Sequence, residues 1–426
     1  MNNVSQTAEK NLCCSCGICK GICPKGCISL ERKNGLYLPF VDETKCVNCG
    51  LCAAVCPGLG HSYAPKATAV ETVTGDVLEC CNAWSKDATL RHVSASGGVT
   101  STIIQHLLSI GKYDGAFCLD SYNYRDQLKT RLYTAEEVAA CWAASNAPKS
   151  RYLPVSHENA VQYMKDNREK KLILVGTSCA IRGLQATVTK LHLPRDHYLL
   201  IGLFCDKVFN YNVLSYFADT YAQGRTIQAL HFKNKESGGW PGDMKFFPEN
   251  GEAFFVPLAE RAKAKAYFMP ERCLYCVDKL NACADISLGD NYTGKDESPL
   301  GSNSVIVRTD IGMSAWSAVQ DLLVICPIEI ADIQKAQAID CRLDNMYAGD
   351  LANAALDLNK DVPREKEKSV FQNTHSAGMK KLKTGAVYDT DPNAIRKQLK
   401  QDNKKPHPLR RFVRRAVRFI KRRLVR

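Results

Sequence analysis

The sequence predicts a multidomain protein of mixed α+β and α/β class, with a small N-terminal module, a larger α/β domain and a C-terminal amphipathic helix. Three observations lead to this prediction. One cysteine spacing occurs twice in residues 1–60, short apolar runs alternate with helical periods over residues 80–361, and the last residues are basic and amphipathic. A chain of 426 residues is also too long for one hydrophobic core, because single cores stop growing at about 250–300 residues.

Eight cysteines define the N-terminal module, in two runs of the pattern C-x2-C-x2-C-x3-C-P. The first run is Cys13, Cys16, Cys19 and Cys23, and the second run is Cys46, Cys49, Cys52 and Cys56. Bacterial ferredoxins hold two 4Fe–4S clusters with this spacing, and the last cysteine of each run ligates the other cluster. We therefore predict a two-cluster ferredoxin module over residues 1–60. The first thiol set is Cys13, Cys16, Cys19 and Cys56, and the second thiol set is Cys46, Cys49, Cys52 and Cys23.

Two other uses of cysteine fit this spacing less well. Structural zinc sites take pairs of C-x2-C, not triplets followed by C-x3-C-P. Disulfide frameworks belong to secreted proteins, whereas the polar N-terminus of this chain lacks the pattern of a signal peptide. We therefore expect a cytoplasmic protein with reduced thiols. Cys14 and Cys27 lie outside the pattern, and we do not predict them as ligands.

Alternating apolar runs and helical periods predict an α/β domain over residues 80–361. The predicted strands are residues 114–119, 172–176, 199–204 and 304–308, and the predicted helices are residues 99–110, 180–191 and 312–323. Residues 232–257 alternate and contain turn residues, which predicts an antiparallel hairpin layer.

Two groups of residues in this domain suggest ligand binding. Ser96-Gly-Gly-Val-Thr100 begins a predicted helix, and a helix N-terminus of this kind can hold a pyrophosphate, although such turns also occur as plain caps. Cys179 and Cys205 follow two predicted strands, where ligands bind in parallel sheets. Together with Cys273 and Cys276 they could ligate a third cluster, or they could be buried core thiols.

In order and spacing, these residues resemble the family of coenzyme F420 hydrogenase/dehydrogenase beta subunits. The shared features are Ser96-Gly-Gly-Val-Thr, Gly176-Thr-Ser-Cys179, Gly202-Leu-Phe-Cys205, Arg272-Cys-x2-Cys276-x-Asp278 and Ala284-Asp-Ile-Ser-x-Gly-Asp290. The resemblance covers about residues 80–350 and implies an FAD-containing iron–sulfur oxidoreductase domain. The family's cysteines match those of a third thiol set, which is Cys179, Cys205, Cys273 and Cys276.

The sequence departs from the family pattern at several positions. Cys283 stands where the family usually has another residue, and we exclude it from the third thiol set. Ser178 replaces the usual proline before the first cysteine, and Asp206-Lys207 stands where a glycine is common. These departures concern the shape of the substrate pocket more than the cluster.

The resemblance also implies contacts to FAD, the cofactor that connects one-electron and hydride chemistry. We expect Ser96, Gly97, Gly98 and Thr100 at the FAD phosphates. Lys233 and Asp290 are expected as polar contacts near the flavin, with a solvated lysine and a turn cap as the alternatives. The nine histidines form no recognisable pair, and no proton donor can be assigned.

The C-terminal part of the chain differs from the rest in charge. Residues 362–403 are polar and Lys-rich and are expected to be a linker. Residues 404–426 hold 11 of the 57 Lys and Arg and no acidic residue, so the remaining chain carries only +2 of the net +13. This basic amphipathic segment is typical of a helix that lies on an anionic membrane surface. It is expected to place the protein peripherally on the inner face of the membrane. A solvated tail or a docking helix for a partner subunit is the alternative, and no nucleic-acid binding is expected.

The sequence leaves several functions open. The first is an enzyme that moves electrons between ferredoxin-type clusters and FAD and exchanges hydride with a small organic substrate or a deazaflavin-like cofactor. The second is an electron-transfer subunit that serves a redox partner protein and has no substrate specificity of its own. A reductase of glycan biosynthesis and a scaffold with structural clusters are further alternatives.

Overall fold

The structure is a computed structural model, and it describes residues 2–120, 126–142, 148–346, 357–363 and 372–402. The predicted basic segment 404–426 lies outside the described residues. No helix within the described part of the chain is long and apolar enough to cross a membrane.

The described strands and helices alternate along most of the chain. The strands are β1 Ile28–Lys33, β2 Leu36–Val41, β3 His61–Ser62, β4 Glu79–Ser85, β5 Gly115–Leu119, β6 Thr130–Tyr133, β7 Leu172–Thr177, β8 Tyr198–Leu203, β9 Ile227–Asn234, β10 Asp243–Pro248, β11 Phe254–Val256, β12 Ile286–Asp290, β13 Asn303–Val307, β14 Leu323–Pro327 and β15 Asn359–Lys360. The helices are α1 Ser5–Glu9, α2 Ile18–Ile22, α3 Leu51–Ala54, α4 Ala69–Thr74, α5 Ala88–Val93, α6 Val99–Ser109, α7 Ala135–Trp142, α8 Glu158–Asp166, α9 Ser178–Lys190, α10 Asn212–Tyr221, α11 Leu258–Phe268, α12 Asp310–Ser317, α13 Ile330–Ala336, α14 Ile339–Met346, α15 Gln372–Ala386 and α16 Pro392–Asp402.

The two cysteine runs of the N-terminal module adopt the same local structure. Strands β1 and β2 form an antiparallel hairpin, and the short helices α2 and α3 each contain the third cysteine of a run. Gly17 and Gly50 precede these helices with φ values of +70° and +73°. Glycine adopts this left-handed conformation without the steric cost that other residues incur, so the chain can turn tightly around each cysteine loop.

An eight-stranded mixed sheet forms the centre of the larger domain. Its strand order is β14-β4-β13-β12-β8-β7-β5-β6. The four central strands β12, β8, β7 and β5 are parallel, and the outer strands pair antiparallel. Strands β7 and β8 are buried almost along their whole length, as expected for parallel strands covered on both faces. The predicted α/β class is confirmed.

Different layers cover the two faces of this sheet. Helices α6 and α12 pack on one face, where Ile103, Leu107 and Trp316 are buried. Helices α8 and α9 cover the other face together with α2 of the N-terminal module. The packing of module on domain is close, because a Cβ atom at Gly183 would lie 2.4 Å from Ile18 Cδ1.

The predicted hairpin layer is a three-stranded antiparallel sheet of β9, β10 and β11. Aromatic side chains from this sheet and from α10 and α11 form a separate core, which includes Phe217, Phe232 and Phe246. This layer carries Lys233 at the end of β9 and so brings it to the main sheet.

Two parts of the chain differ from the prediction. The helix expected at 312–323 begins at Asp310 but ends at Ser317, because Leu323 starts β14, whose backbone pairs with β4 at the edge of the sheet. The segment 362–403, expected to be a linker, contains α15 and α16. These helices are held to the body, because Tyr388 and Ile395 are buried in the aromatic core.

Candidate redox site

The first thiol set lies around one small pocket. Cys13, Cys16, Cys19 and Cys56 all line it, with Pro57 and Gly58 as part of its wall. The thiols are close enough to influence each other, since burial and then the charges of Cys16 and Cys13 hold the pKa of Cys19 well above its usual range. The backbone N–H of Ser15 donates to Cys13 Sγ at 3.3 Å. Such N–H···S bonds stabilise negative charge on sulfur.

The second thiol set lines a separate small pocket. Its members Cys23, Cys46, Cys49 and Cys52 surround this pocket together with Cys27. Cys27 Sγ lies 3.4 Å from Cys23 Sγ, so this cysteine is an immediate neighbour of the set. Cys49 is exposed, which makes this pocket the more accessible of the two.

The third thiol set lies at the carboxyl ends of adjacent parallel strands. Cys179 is in the first turn of α9 after β7, Cys205 follows β8, and Cys273 and Cys276 are in and after the 3-10 turn Glu271–Leu274. Burial raises the pKa of Cys205 well above its usual range, and the charges of Cys273, Cys179 and Cys276 add to this effect. The structure therefore brings these four thiols together, whereas Cys283 lies beside the buried Arg182–Asp278 ion pair.

The thiol sets are not arranged as sites for a single ion. Among the described residues, no three His, Cys, Asp or Glu side chains converge closely enough to hold one metal ion. A 4Fe–4S cluster has a different requirement, because each thiolate binds a different iron. Four thiols spread around one pocket, as in the first and second sets, meet that requirement.

Cys14 is a member of the site that the sequence pattern excluded. It lines the large cavity described below, and its thiol is hydrogen-bonded to Cys179. That bond is the main reason why the pKa of Cys179 is lowered to about 6, against the effect of burial. No spacing rule predicts this contact, because Cys14 and Cys179 are far apart in the sequence.

A cavity of about 300 Å³ lies next to the third thiol set. It is lined by Cys179 and Cys205, by the first turn of α6 and by the ends of β9 and β12. Five of the six predicted FAD contacts, Ser96, Gly98, Thr100, Lys233 and Asp290, are among its lining residues, whereas Gly97 is not. Residues from distant parts of the sequence therefore meet at one cavity at the strand ends.

The turn before α6 has both local and long-range contacts. Gly98 has φ +83° and caps α6, and Thr100 lines the cavity in the first helical turn. Ser96 Oγ donates to the carbonyl oxygen of Ser302 at 2.8 Å. A Cβ atom at Gly97 would lie 2.7 Å from Asn303 Oδ1. Ser96 and Gly97 thus hold the turn against β13 and its preceding residue, while Ser96, Gly98 and Thr100 line the cavity.

Lys233 and Asp290 form an ion pair in the cavity wall. The Lys233 side chain is 5% exposed and that of Asp290 is 17% exposed. Burial opposes the charge on Lys233, but the Asp290 carboxylate raises its pKa above the ordinary value. Trp240 Nε1 also donates to Asp290 Oδ1 at 3.4 Å. The alternative of a solvated lysine does not hold.

Positive charge is in excess around the cavity. The cationic lining residues are Lys149, Arg151, Lys207, Lys233 and Lys265, and the anionic lining residues are Asp206 and Asp290. Asp206 is bonded to Lys265 and Arg342, and burial lowers the pKa of Lys207. The excess charge favours an anionic ligand. Isolated lysines give no sequence signal for this role.

His157 is the histidine of the cavity wall. Its side chain is 2% exposed, and its Nδ1 atom has no hydrogen-bond partner among the described residues. Burial lowers its pKa to about 4, so the imidazole is neutral at physiological pH. As a lone histidine it carries no recognisable motif.

The three thiol sets and the cavity are neighbours in space. Cys19 of the first set is within electrostatic reach of Cys52 of the second set, and Cys13 and Cys16 are within reach of Cys179 of the third set. Cys16 lines both its own pocket and the large cavity. The second set therefore adjoins the first set, and the first and third sets both adjoin the cavity.

Comparison with known families agrees with this arrangement. Residues 80–162 match the N-terminal part of the coenzyme F420 hydrogenase/dehydrogenase beta subunit, residues 169–331 match its C-terminal part, and residues 39–58 match a 4Fe–4S binding domain. The fold and these matches define an iron–sulfur oxidoreductase. The chain belongs to the family of coenzyme F420 hydrogenase/dehydrogenase beta subunits and carries an N-terminal ferredoxin module.

Individual relatives are distant. One subunit of the F420H2 dehydrogenase of Methanosarcina mazei is 25% identical over 328 residues, covering 75% of this chain and 85% of the relative. The beta subunit of the coenzyme F420 hydrogenase of Methanosarcina barkeri is 24% identical over 252 residues, covering 57% and 79%. A chain of the F420-reducing NiFe hydrogenase complex of Methanosarcina barkeri superposes with a TM-score of 0.47 at 22% identity, covering 65% of this chain and 93% of that chain.

Proposed function

We propose that this protein is an FAD-dependent iron–sulfur oxidoreductase that moves electrons between three 4Fe–4S clusters and FAD, and exchanges hydride with a small organic substrate or a deazaflavin-like cofactor. The observation that carries the proposal is the arrangement of the third thiol set beside the large cavity. Thiols for one-electron transfer and a cationic cavity for a flavin nucleotide share one wall, formed by Cys179 and Cys205.

Each thiol set has a proposed role in holding one cluster. We propose that residues 1–60 and residues 80–361 are two structural units. The first and second sets belong to the first unit, and the third set belongs to the second unit. 4Fe–4S clusters transfer single electrons, and bound FAD exchanges both single electrons and hydride. The chain's contribution is to hold the thiol sets close together, with the first and third sets at the cavity.

The cavity residues fit an FAD molecule. The first turn of α6 offers free backbone N–H groups and the positive end of a helix dipole, which suits phosphate. The cationic excess supplied by Lys149, Arg151 and Lys207 suits the same charge. Apolar side chains such as Val99, Ile104 and Leu288 line other parts of the wall and suit the rings.

His157 is proposed to contact the flavin. Its buried Nδ1 requires a hydrogen-bond partner, because an unpaired buried polar atom costs about 1–3 kcal/mol. A polar edge of a ring placed in the cavity would supply that partner. The Lys233–Asp290 pair would lie at another part of the ligand and orient it.

A second candidate function is that of an electron-transfer subunit without its own substrate. The specific observation is the exposure of Cys49 in the second thiol set, with Val47 beside it 59% exposed. A cluster held there would lie close to a redox partner protein. The names of both relatives agree with this alternative, because each is a subunit of a larger enzyme.

Anaerobic purification with iron, sulfide and flavin counted per chain tests the proposal. We expect about 12 iron atoms, four for each of three clusters, and one FAD. Two clusters or no FAD would contradict it. Steady-state assays with hydride donors and acceptors then separate the two functions, because only the enzyme turns over without a partner protein.

A further inference from the structure

Arg272 is a buried cation between two thiol sets. Its side chain is 4% exposed, and Nη2 donates to the carbonyl oxygen of Pro57 at 3.2 Å. Pro57 directly follows Cys56 of the first thiol set, and Arg272 directly precedes Cys273 of the third set. The guanidinium therefore joins the loop of one set to the loop of the other.

Two further donors of Arg272 have no acceptor in the part of the chain that the structure describes. Nε and Nη1 are buried and make no hydrogen bond to any described residue. The groups whose charges act most on the guanidinium are the thiols of Cys14, Cys276 and Cys179. Its surroundings thus offer sulfur in place of carboxylate.

Two other arginines of the domain, the buried Arg308 and the largely buried Arg342, show what a structural arginine looks like here. Arg308 donates to Ser287 Oγ and to three backbone carbonyls. Arg342 donates to the carbonyl oxygen of Cys276 and to Asp206. Arg272 differs from them, because two of its donors are left for groups that the chain itself does not supply.

We propose that Arg272 is a positioning residue that donates Nε–H and Nη1–H to sulfur atoms of the third cluster and thereby raises the reduction potential of that cluster. The proposal rests on the third cluster of the proposed function. Hydrogen bonds to cluster sulfur and nearby positive charge favour the more negative, reduced state. A higher potential beside the cavity draws electrons from the first cluster toward the flavin.

The test is an EPR-monitored redox titration of the anaerobically purified holoprotein and its variants. Cys273→Ser first identifies which EPR signal belongs to the third cluster. In Arg272→Met we expect about 12 iron atoms, as in the unchanged protein, and a lower midpoint potential for that signal alone. Arg272→Lys keeps the charge but loses the paired donors, so its potential should lie between the two.

Arg308→Lys is the matched control, since Arg308 is a buried cation of the same domain whose bonds are to Ser287 Oγ and to backbone carbonyls. We expect it to leave the third midpoint potential closer to the original value than Arg272→Lys does. Unchanged midpoint potentials in both Arg272 variants at full iron content would overturn the proposal. If Arg272→Met does not retain the cluster, the third midpoint potentials of the two lysine variants are compared instead. Equal potentials in these two variants would then overturn the proposal. Failure of the proposed function is recognised separately, because the unchanged protein would then hold about 8 iron atoms.

Discussion

His157 donates its backbone N–H to the carbonyl oxygen of Cys16 at 2.8 Å. This bond ties the cysteine loop of the first thiol set to the start of α8, beside the large cavity. The next residue of the loop, Gly17, packs against Ser156, whose Oγ would lie 1.9 Å from a Cβ atom at that position. The N-terminal module therefore meets the larger domain at the point where the first and third thiol sets approach each other.

Gly17→Ala should destabilise the protein more than Gly50→Ala. Both glycines have φ near +70°, so each alanine costs about 1–2 kcal/mol in backbone strain. At Gly17 the new methyl group also meets the buried Ser156, with an added cost of about 1–3 kcal/mol for overpacking. At Gly50 it meets the end of the Asn2 side chain, which can move away. Chemical unfolding of both variants measures the difference, and equal losses would contradict the close contact at Ser156.

Cys14→Ala should leave the iron content of the holoprotein unchanged. In the proposed function the third thiol set already supplies four thiolates, and Cys14 contributes a hydrogen bond to Cys179. Cys273→Ser, the matched control, should remove one cluster and lower the count by about four iron atoms. Iron analysis after anaerobic purification distinguishes the two variants. A loss of iron in Cys14→Ala would identify Cys14 as a ligand.

The sequence predicted those parts of the site whose chemistry imposes a spacing. A cluster needs thiols on a tight loop, and each thiol set predicted from the N-terminal pattern lines one pocket. Buried strands such as β7 and β8 were recognisable for a similar reason, because their apolar runs are continuous. The third set required a resemblance to a family, since its members come from separate loops.

The residues that were missed have roles that depend on contacts distant in sequence. Cys14, His157 and Arg272 become notable only because the fold places them beside the third thiol set or the cavity. The helix predicted to reach residue 323 was too long, because an apolar run at 322–326 fits a helix and an edge strand equally well. Pairing with β4 decides between the two.

Acidic pH should destabilise the protein partly through His231. Burial, with the nearby charges of Arg151 and Lys149, lowers the pKa of His231 from 6.5 to about 3. The unfolded chain therefore binds a proton below about pH 6.5 that the folded chain does not bind. The contribution of the neutral His231 to the free energy of unfolding is fully present above that pH and is lost as the pH falls toward 3. At pH 5 the loss amounts to about 2 kcal/mol.

The matched variant is His231→Gln, which cannot titrate. Its free energy of unfolding should fall less between pH 7 and pH 5 than that of the unchanged protein, by about 2 kcal/mol. Denaturant unfolding at both pH values measures this difference. Equal pH dependence in the two proteins would show that His231 titrates normally in the fold.

Lys233→Met should be strongly destabilising, whereas Lys233→Met combined with Asp290→Leu should recover part of the loss. The single change leaves the Asp290 carboxylate unpaired in a largely buried wall, which costs about 3 kcal/mol. The double variant no longer contains the unpaired Asp290 carboxylate. The losses in the free energy of unfolding from the two changes should therefore not be additive. Unfolding of the four proteins of this double-mutant cycle gives the coupling energy. A coupling energy near zero would mean that solvent, and not Lys233, compensates the carboxylate.

If the Lys233–Asp290 pair also orients the flavin, both variants should bind less FAD and retain full iron, which flavin and iron analysis of the same samples would show.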